Sequence, residues 1–218
     1  MDFVKELEND GIKINLINIG GGLDSSYKTP EEPSEFSFAN YRKALDNSVP
    51  ELFCGKYKIV TEFARSLLLK AGTTLSKVQF IKQWIPENSP ILMVHVGANQ
   101  FYTEVYHFLR HRFDLADENG IARSKDELEI FDIAGPLCFQ GDYLAKQVKL
   151  PKTAKTGDIL IMHETGAYTM GMYSKFNSNI PSPVYGFSLK NDRIWCFKEK
   201  ETLHECLAFW GPKQPGFV

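Results

Sequence analysis

The stretch IAGPLCFQGDYLAK, residues 133–146, contains the side chain best suited to chemistry, the thiol of Cys138. Pro136 fixes its own φ at roughly −65°, and Gly141 permits backbone conformations that are closed to other residues. The stretch is therefore suited to hold a short side chain in a set place. Taken alone, it leaves Cys138 open as a buried filler, a metal ligand or a thiol held in a turn for chemistry.

A glycine triplet, Gly20-Gly21-Gly22, follows a run rich in Ile and Leu near the start of the chain. Because no side chains obstruct it, such a turn can direct several backbone N–H groups at one anion, and phosphate is the usual guest. A tight turn that binds nothing is the equally open alternative.

Two further stretches supply polar side chains. TEFARSLLLKAG places Glu62 and Arg65 just after a strand, where they could anchor a small ligand or form an ordinary surface salt bridge. GAYTMGMYSKFNS contains the polar Asn177 and Tyr168, whose hydroxyl can donate a hydrogen bond to a phosphate oxygen. A tyrosine at the edge of the core, with its hydroxyl in water, is the alternative for Tyr168.

Composition limits the classes of partner. The chain of 218 residues is 43% hydrophobic, enough to fill a core, and its formal net charge of −2 argues against nucleic acid or a membrane surface. No apolar run approaches the roughly 20 residues that span a bilayer, and the acidic N-terminus is unlike a signal peptide. The four cysteines form no CxxC pair, which argues against a metal site and a disulfide framework and predicts a reducing, cytoplasmic setting.

The predicted secondary structure that must position these residues changes along the chain, from mixed helices and strands to short strands. An amphipathic helix at residues 2–10, the strand IKINLINI, the helix FANYRKALDNSV and the strand KYKIVTEF come first, with a loop predicted over residues 24–37. Short β-type runs separated by turn signals follow, which predicts an antiparallel sandwich or barrel. These runs are TTLSKVQFIKQWI, PILMVHVG, HRFDLAD, LEIFDIAG, GDILIMHE, VYGFSLKND and RIWCFKEKE.

The predicted fold class is therefore α+β, with residues 1–66 as the tail of an α/β unit and residues 67–218 as a β domain. Two strands and two helices cannot bury both faces of a parallel sheet. We therefore expect the first segment to depend on more polypeptide, either from a partner chain or as part of a longer protein.

The stretches INIGGGL, TEFARSLLLKAG, GPLCFQGDYLAK and GAYTMGMYSKFNS, in this order, resemble the pyridoxal-phosphate-dependent decarboxylases of ornithine, diaminopimelate and arginine. This is the fold-type III group that includes alanine racemase, and the resemblance covers nearly the whole chain. It implies the second half of a family member: residues 1–66 as the remnant of a TIM-like β/α barrel and residues 67–218 as the mainly antiparallel C-terminal β domain.

The resemblance also implies a role for each residue. Backbone N–H groups of the glycine triplet would bind the phosphate of pyridoxal 5'-phosphate, with Arg65 nearby and Tyr168 donating its hydroxyl. Glu62 would pair with the protonated pyridine nitrogen. Cys138 would enter the site of a neighbouring subunit in a homodimer and donate a proton to the carbon that loses CO2, because a thiol pKa of about 8.5 can be tuned towards neutral pH.

Departures from the family pattern bear on the substrate. Phe139 and Asp142 are the positions that we assign to substrate binding, and Phe139 stands where the family usually carries an acid that pairs with a distal amino group. A phenyl ring offers only a cation–π contact there. Thr103 stands where diaminopimelate enzymes tend to carry an arginine, and Glu-Phe-Ala-Arg replaces Glu-Pro-Gly-Arg. The changes at Phe139 and Thr103 weigh against diaminopimelate and ornithine as substrates, and a basic or decorated amino acid is the expected substrate.

The lysine that holds the cofactor covalently in this family precedes the glycine triplet, and no lysine here has a matching context. Two hypotheses follow. The first is an amino-acid decarboxylase, of which this chain alone is catalytically incomplete. The second is a non-catalytic partner or regulatory subunit of a full-length decarboxylase. A β-rich binding module with accidental motif matches is a third interpretation.

Overall fold

The computed structural model describes residues 1–27, 37–101 and 111–211. The chain forms two compact units. The first contains residues 1–74 together with 162–167, and the second contains residues 75–161 and the chain from Tyr168 onward. The boundary predicted between residues 66 and 67 stays a prediction, and that peptide bond lies within a short helix of the first unit.

Helices and two short strands make up the first unit. Strands β1 and β2 pair in parallel, with Leu16 opposite Lys58 and Asn18 opposite Val60. The unit also contains short 3-10 helices at Pro50–Phe53 and Leu69–Ala71. Its main elements are α1 (Asp2–Asn9), β1 (Leu16–Asn18), α2 (Phe38–Ser48), β2 (Lys58–Val60) and α3 (Arg65–Leu68).

The predicted first strand is much shorter than IKINLINI and is not buried. Leu16 and Asn18 are exposed and Ile17 is half-buried, because a sheet of two strands has too few neighbours to cover its faces. Helix α2 begins where predicted, with the Ser37 hydroxyl accepting a hydrogen bond from the backbone N–H of Asn40 at 3.1 Å.

The second unit is built on a six-stranded sheet in the order β5-β8-β3-β4-β6-β7. Strand β5 at one edge approaches β7 at the other, so the sheet is nearly closed like a barrel. The predicted, mainly antiparallel β domain is confirmed: β3 pairs with β4 and β6 pairs with β7 in antiparallel fashion, whereas β4 and β6 pair in parallel. The strands are β3 (Thr74–Lys82), β4 (Ile91–Val94), β5 (Phe113–Ala116), β6 (Leu128–Ala134), β7 (Tyr143–Pro151) and β8 (Ile159–Met162).

Alternating side chains of these strands fill the core of the sheet. The fully buried apolar side chains include Val78, Leu92, Leu115, Ile133, Leu150 and Leu160. One charged pair shares this interior: Arg123 Nη2 lies 2.5 Å from Oδ1 of the fully buried Asp158. The hydrogen bond from Arg123 satisfies the buried carboxylate and raises the pKa of the guanidinium further.

The second unit ends with a two-stranded antiparallel ribbon, β9 (Val184–Ser188) with β10 (Arg193–Lys198), and helix α4 (Leu203–Trp210). Thr202 and Glu205 form a capping box at the start of α4. Ribbon and helix expose many large apolar side chains. These are Tyr185, Phe187, Ile194, Trp195, Phe197, Leu203, Leu207, Phe209 and Trp210. Across the three described ranges, every helix falls short of the length and apolar character needed to cross a membrane.

Candidate functional site

The parallel pair of the first unit brings Glu62 beside the glycine triplet. Hydrogen bonding continues past the ends of both strands: the N–H of Ile19 donates to the carbonyl of Val60 at 3.0 Å. The N–H of Glu62 then donates to the carbonyl of Gly20 at 2.8 Å. The carboxyl ends of parallel strands meet at one edge of a sheet, which is where ligands bind in this class of fold.

Glycine is required by geometry within the triplet. Gly20 and Gly22 have φ values of +73° and +92°, in the region that favours glycine. Gly21 has ordinary φ, but a Cβ added there would lie 2.8 Å from the carbonyl oxygen of Glu62. The turn can therefore lie directly against the second strand, with its backbone free of side chains.

Asn18 links the two predicted groups, and sequence reasoning missed it. Its Oδ1 accepts a hydrogen bond from the N–H of Gly20 at 2.8 Å, and its Nδ2 donates to Oε1 of Glu62 at 2.6 Å. A backbone N–H only donates and a carboxylate only accepts, so the orientation of this amide is fixed. The available signal was an asparagine two residues before the first glycine, a spacing that allows a side chain to bond its own turn.

Arg65 begins helix α3 and reaches back towards the triplet. Its Nη1 lies 3.7 Å from Oδ1 of Asp24, two residues beyond Gly22, and its side chain is 29% exposed. Phe63, between Glu62 and Arg65, packs against Tyr41 of α2 with ring centroids 5.3 Å apart. The helix thereby braces the stretch that carries both charged residues.

The segment 162–167 is anchored on the same unit. The N–H of Thr165 donates to the carbonyl of Gly72 at 2.9 Å, and the N–H of Gly166 donates to the carbonyl of Leu69 at 3.1 Å. Lys70 pairs with the buried carboxylate of Glu164 at 3.1 Å. Tyr168 is the next residue after this anchored segment, is partly exposed and has a left-handed φ of 58°.

In the second unit, Asp142 closes the turn that carries Cys138. We call this turn, residues 135–142, the thiol turn. Asp142 is buried, and its two carboxylate oxygens accept the N–H groups of Leu137 at 2.5 Å and Ala98 at 2.7 Å. Burial raises the pKa of Asp142, while those two hydrogen bonds act in the opposite direction. Its predicted contact with substrate stays a prediction, and the geometry favours a positioning role.

Cys138 itself is exposed and free, on the outer side of the thiol turn. Its backbone N–H donates to Oδ1 of Asn177 at 2.8 Å. The ring of Phe139 meets that of Phe176 edge to face, with centroids 5.8 Å apart, at the outer surface of the turn. The turn thus presents a thiol and an aromatic ring side by side.

The structure therefore brings the glycine triplet, Glu62 and Arg65 to one edge of the first unit. Cys138, Phe139, Asp142 and Tyr168 lie in the second unit, and their convergence with the triplet stays a prediction. Thr103 lies outside the described residues. Within the described ranges, no three His, Cys, Asp or Glu side chains cluster as they would around a metal ion.

Residues 12–166 match a family model described as "Pyridoxal-dependent decarboxylase, C-terminal sheet domain". A diaminopimelate decarboxylase of Staphylococcus aureus is 31% identical over 203 residues, covering 92% of this chain and 46% of that protein. Another, from Methanocaldococcus jannaschii, is 30% identical, covering 95% of this chain and 45% of that protein.

Solved structures agree with these matches. The crystal structure of the M. jannaschii diaminopimelate decarboxylase superposes with a TM-score of 0.80 at 28% identity, covering 95% of this chain and 45% of that one. A co-complex of that enzyme with L-lysine gives a TM-score of 0.75 at 27% identity, covering 96% of this chain and 46% of that one. The chain thus spans about half the length of the relatives it matches.

Proposed function

Because this chain belongs to the pyridoxal-dependent decarboxylase family, we propose that it is the C-terminal portion of an enzyme that removes CO2 from an amino acid. The observation that carries the proposal is the pairing of Glu62 with a glycine turn at the carboxyl ends of two parallel strands. An acidic side chain and a set of backbone N–H groups at one sheet edge suit a ligand with a cationic ring and a phosphate.

Pyridoxal phosphate is the cofactor of this family, and the residues present fit it. All three glycines are required by the geometry of the turn, through positive φ at Gly20 and Gly22 and close contact with Glu62 at Gly21, so its backbone carries no side chains that would block a phosphate. We assign the phosphate to the N–H groups of Gly21 and Gly22, with Arg65 as its cation, and the ring nitrogen to Glu62. The N–H of Gly20, which the resemblance implied as a third donor, instead donates to Oδ1 of Asn18. When bound, the cofactor ring withdraws the electron pair that a departing CO2 leaves behind.

Asn18 has a definite part in this assignment. Its amide occupies Oε1 of Glu62, which leaves Oε2 to accept a hydrogen bond from the ring nitrogen. The same amide fixes the N–H of Gly20. One side chain therefore ties the start of the glycine turn to the carboxylate that would bind the ring.

Two residues of the second unit complete the proposal. We assign the Tyr168 hydroxyl to the phosphate as a further donor. The Cys138 thiol donates its proton to the substrate carbon that has lost CO2. Exposure of Cys138 supports a role towards another polypeptide, which we take to be the second subunit of a homodimer or a partner chain.

Phe139 bears on the substrate class. It is partly exposed beside Cys138 and offers an aromatic face where an acid would select a free distal ammonium. We therefore propose a basic or decorated amino acid as substrate. The similar proteins are named diaminopimelate decarboxylases, so diaminopimelate belongs among the compounds to be tested.

The test is a measurement of CO2 release. The chain would be assayed alone and together with any polypeptide encoded directly upstream, with ornithine, arginine, lysine, diaminopimelate and N-acylated forms of each. We expect release only from the assembled protein, because the lysine that holds the cofactor in this family precedes the glycine triplet and no lysine of this chain has a matching context. If the assembled protein releases CO2 from none of these compounds, that result would count against the proposal.

Matched variants make the assay specific. Cys138→Ala should leave cofactor affinity nearly intact, slow correct protonation by roughly 10²- to 10⁴-fold and increase products protonated at the wrong carbon. Cys196→Ala, at another exposed free cysteine, is the control and should change neither rate nor product ratio. If release persists unchanged in Cys138→Ala, the alternative of a non-catalytic or regulatory partner gains support.

A further inference from the structure

A second loop holds the thiol turn at its exposed side. This support loop, residues 173–179, contacts the turn through Asn177, whose Oδ1 accepts the Cys138 N–H, and through Phe176, whose ring packs on Phe139. Asp142 fixes the turn from inside, at Leu137. The Cys138 amide itself is therefore fixed by the support loop.

Asn177 meets two requirements at once. Its backbone is left-handed, with φ 56° and ψ 23°, a conformation that asparagine tolerates better than most residues. Its side-chain oxygen must face Cys138, because a backbone N–H can only donate. Glycine would satisfy the first requirement and not the second, which makes the two separable by experiment.

The support loop is tied to the segment that also anchors Asp142. Asn99 and Ser174 exchange two hydrogen bonds of 3.0 Å each, and Asn99 directly follows Ala98. The hydroxyl of Tyr173 donates to the carbonyl of Asn179. Burial, together with the charge of Glu201, raises the pKa of Tyr173 to about 12, so this donor keeps its proton at neutral pH.

Helix α4 and Glu201, which directly precedes its cap residue Thr202, both contact the support loop; together they are called the α4 segment. Lys175 pairs with Glu201, and both side chains are largely buried. The thiol of Cys206, buried on α4, lies 3.5 Å from the carbonyl oxygen of Ser178. A continuous series of contacts therefore leads from α4 through the support loop to the Cys138 amide.

We propose that Asn177 is a positioning residue for Cys138 and that the α4 segment acts on the thiol through it. The meaning of this positioning rests on the proposed function, since a fixed thiol matters when it must deliver a proton to one carbon. The positioning itself is a property of the second unit and can be measured without cofactor or substrate.

The experiment is amide hydrogen exchange, measured by NMR on the full chain labelled with ¹⁵N at cysteine only. The four cysteines, Cys54, Cys138, Cys196 and Cys206, give four amide signals, each assigned by its own Cys→Ser variant. Cys54 lies in the first unit and serves as the internal control.

Three variants separate the contributions. Asn177→Gly keeps the left-handed backbone and removes the acceptor, so Cys138 exchange should rise about tenfold while Cys54 stays unchanged. Asn177→Asp keeps an acceptor oxygen and should keep the slow exchange. Glu201→Gln weakens the pair with Lys175 and should raise Cys138 exchange by about two- to threefold.

Three results would overturn the proposal. They are an unchanged Cys138 rate in Asn177→Gly, a rise that Cys54 shares, and an aspartate variant that exchanges as fast as the glycine variant. An unchanged rate in Glu201→Gln would remove the role of the α4 segment. None of these results depends on CO2 release, so failure here leaves the decarboxylase proposal standing, and failure of the decarboxylase assay leaves the exchange rates standing.

Discussion

Asp142→Asn tests the thiol turn from its buried side. The carboxylate accepts two backbone N–H groups, and an amide offers a single acceptor oxygen. In the variant, one buried N–H faces an NH2 group, which should cost about 1–3 kcal/mol of the free energy of unfolding. A protonated carboxyl, by contrast, still offers both of its oxygens.

The pH dependence has a definite sign. Because burial raises the pKa of Asp142 above its ordinary value of 3.8, the folded protein binds this proton more tightly than the unfolded chain. Wild-type stability from this group is therefore fully present below 3.8 and is lost as the pH rises through the higher pKa of the folded state. The asparagine variant has no such titration, so its deficit should be largest in acid and shrink towards neutral pH.

The assay is urea unfolding of wild type and variant at several pH values between about 4 and 7. Tryptophan fluorescence reports the second unit, because Trp84, Trp195 and Trp210 all belong to it. Asp126→Asn, at an exposed carboxylate of the same unit, is the control and should change stability little at any pH. A deficit that grows with pH, or no deficit at all, would refute the reasoning.

Three more substitutions follow from local geometry. Gly21→Ala should cost about 1–3 kcal/mol of unfolding free energy, because its Cβ would lie 2.8 Å from a carbonyl oxygen, and should weaken binding of pyridoxamine phosphate in a fluorescence titration. Gly171→Ala meets nothing within 4 Å and should change neither quantity. Gly166→Ala would drive its Cβ into the backbone of α3, so limited proteolysis should cut near residues 162–167 sooner than in wild type. Thr202→Ala removes the cap of α4 and should lower the free energy of unfolding by about 1 kcal/mol, measured by urea unfolding. Thr202→Ser keeps a hydroxyl at the cap and should retain most of that stability.

Most strands of the second unit could be predicted because apolar alternation and turn residues mark them in the sequence. Strand β7 was missed: residues 143–151 mix lysines and apolar residues without clean alternation, since the strand lies at one edge of the sheet. Helix α4 was also missed. Its eight residues expose most of their apolar side chains, so no helical stripe of buried positions marks it.

The candidate site was predictable where the backbone chemistry is distinctive. When the two strands pair in parallel, the three glycines after one strand and the acid after the next must lie side by side. Asn18 and Asn177 could not be assigned this way, because their roles depend on which distant residue the fold brings within 3 Å. The interior position of Asp142 was hidden for a related reason: an aspartate after a glycine is usually an exposed turn residue.

The apolar side chains on the ribbon and on α4 have a consequence for the life of the chain in a cell. Exposed aromatic and aliphatic groups on a two-stranded ribbon are what chaperones and proteases of the quality-control system recognise. We expect the abundance of the chain to depend on how long this surface stays exposed after synthesis. A pulse-chase experiment can test this dependence with no enzymatic assay. It would compare the half-life of the chain with that of a variant carrying Phe187→Lys and Phe197→Lys.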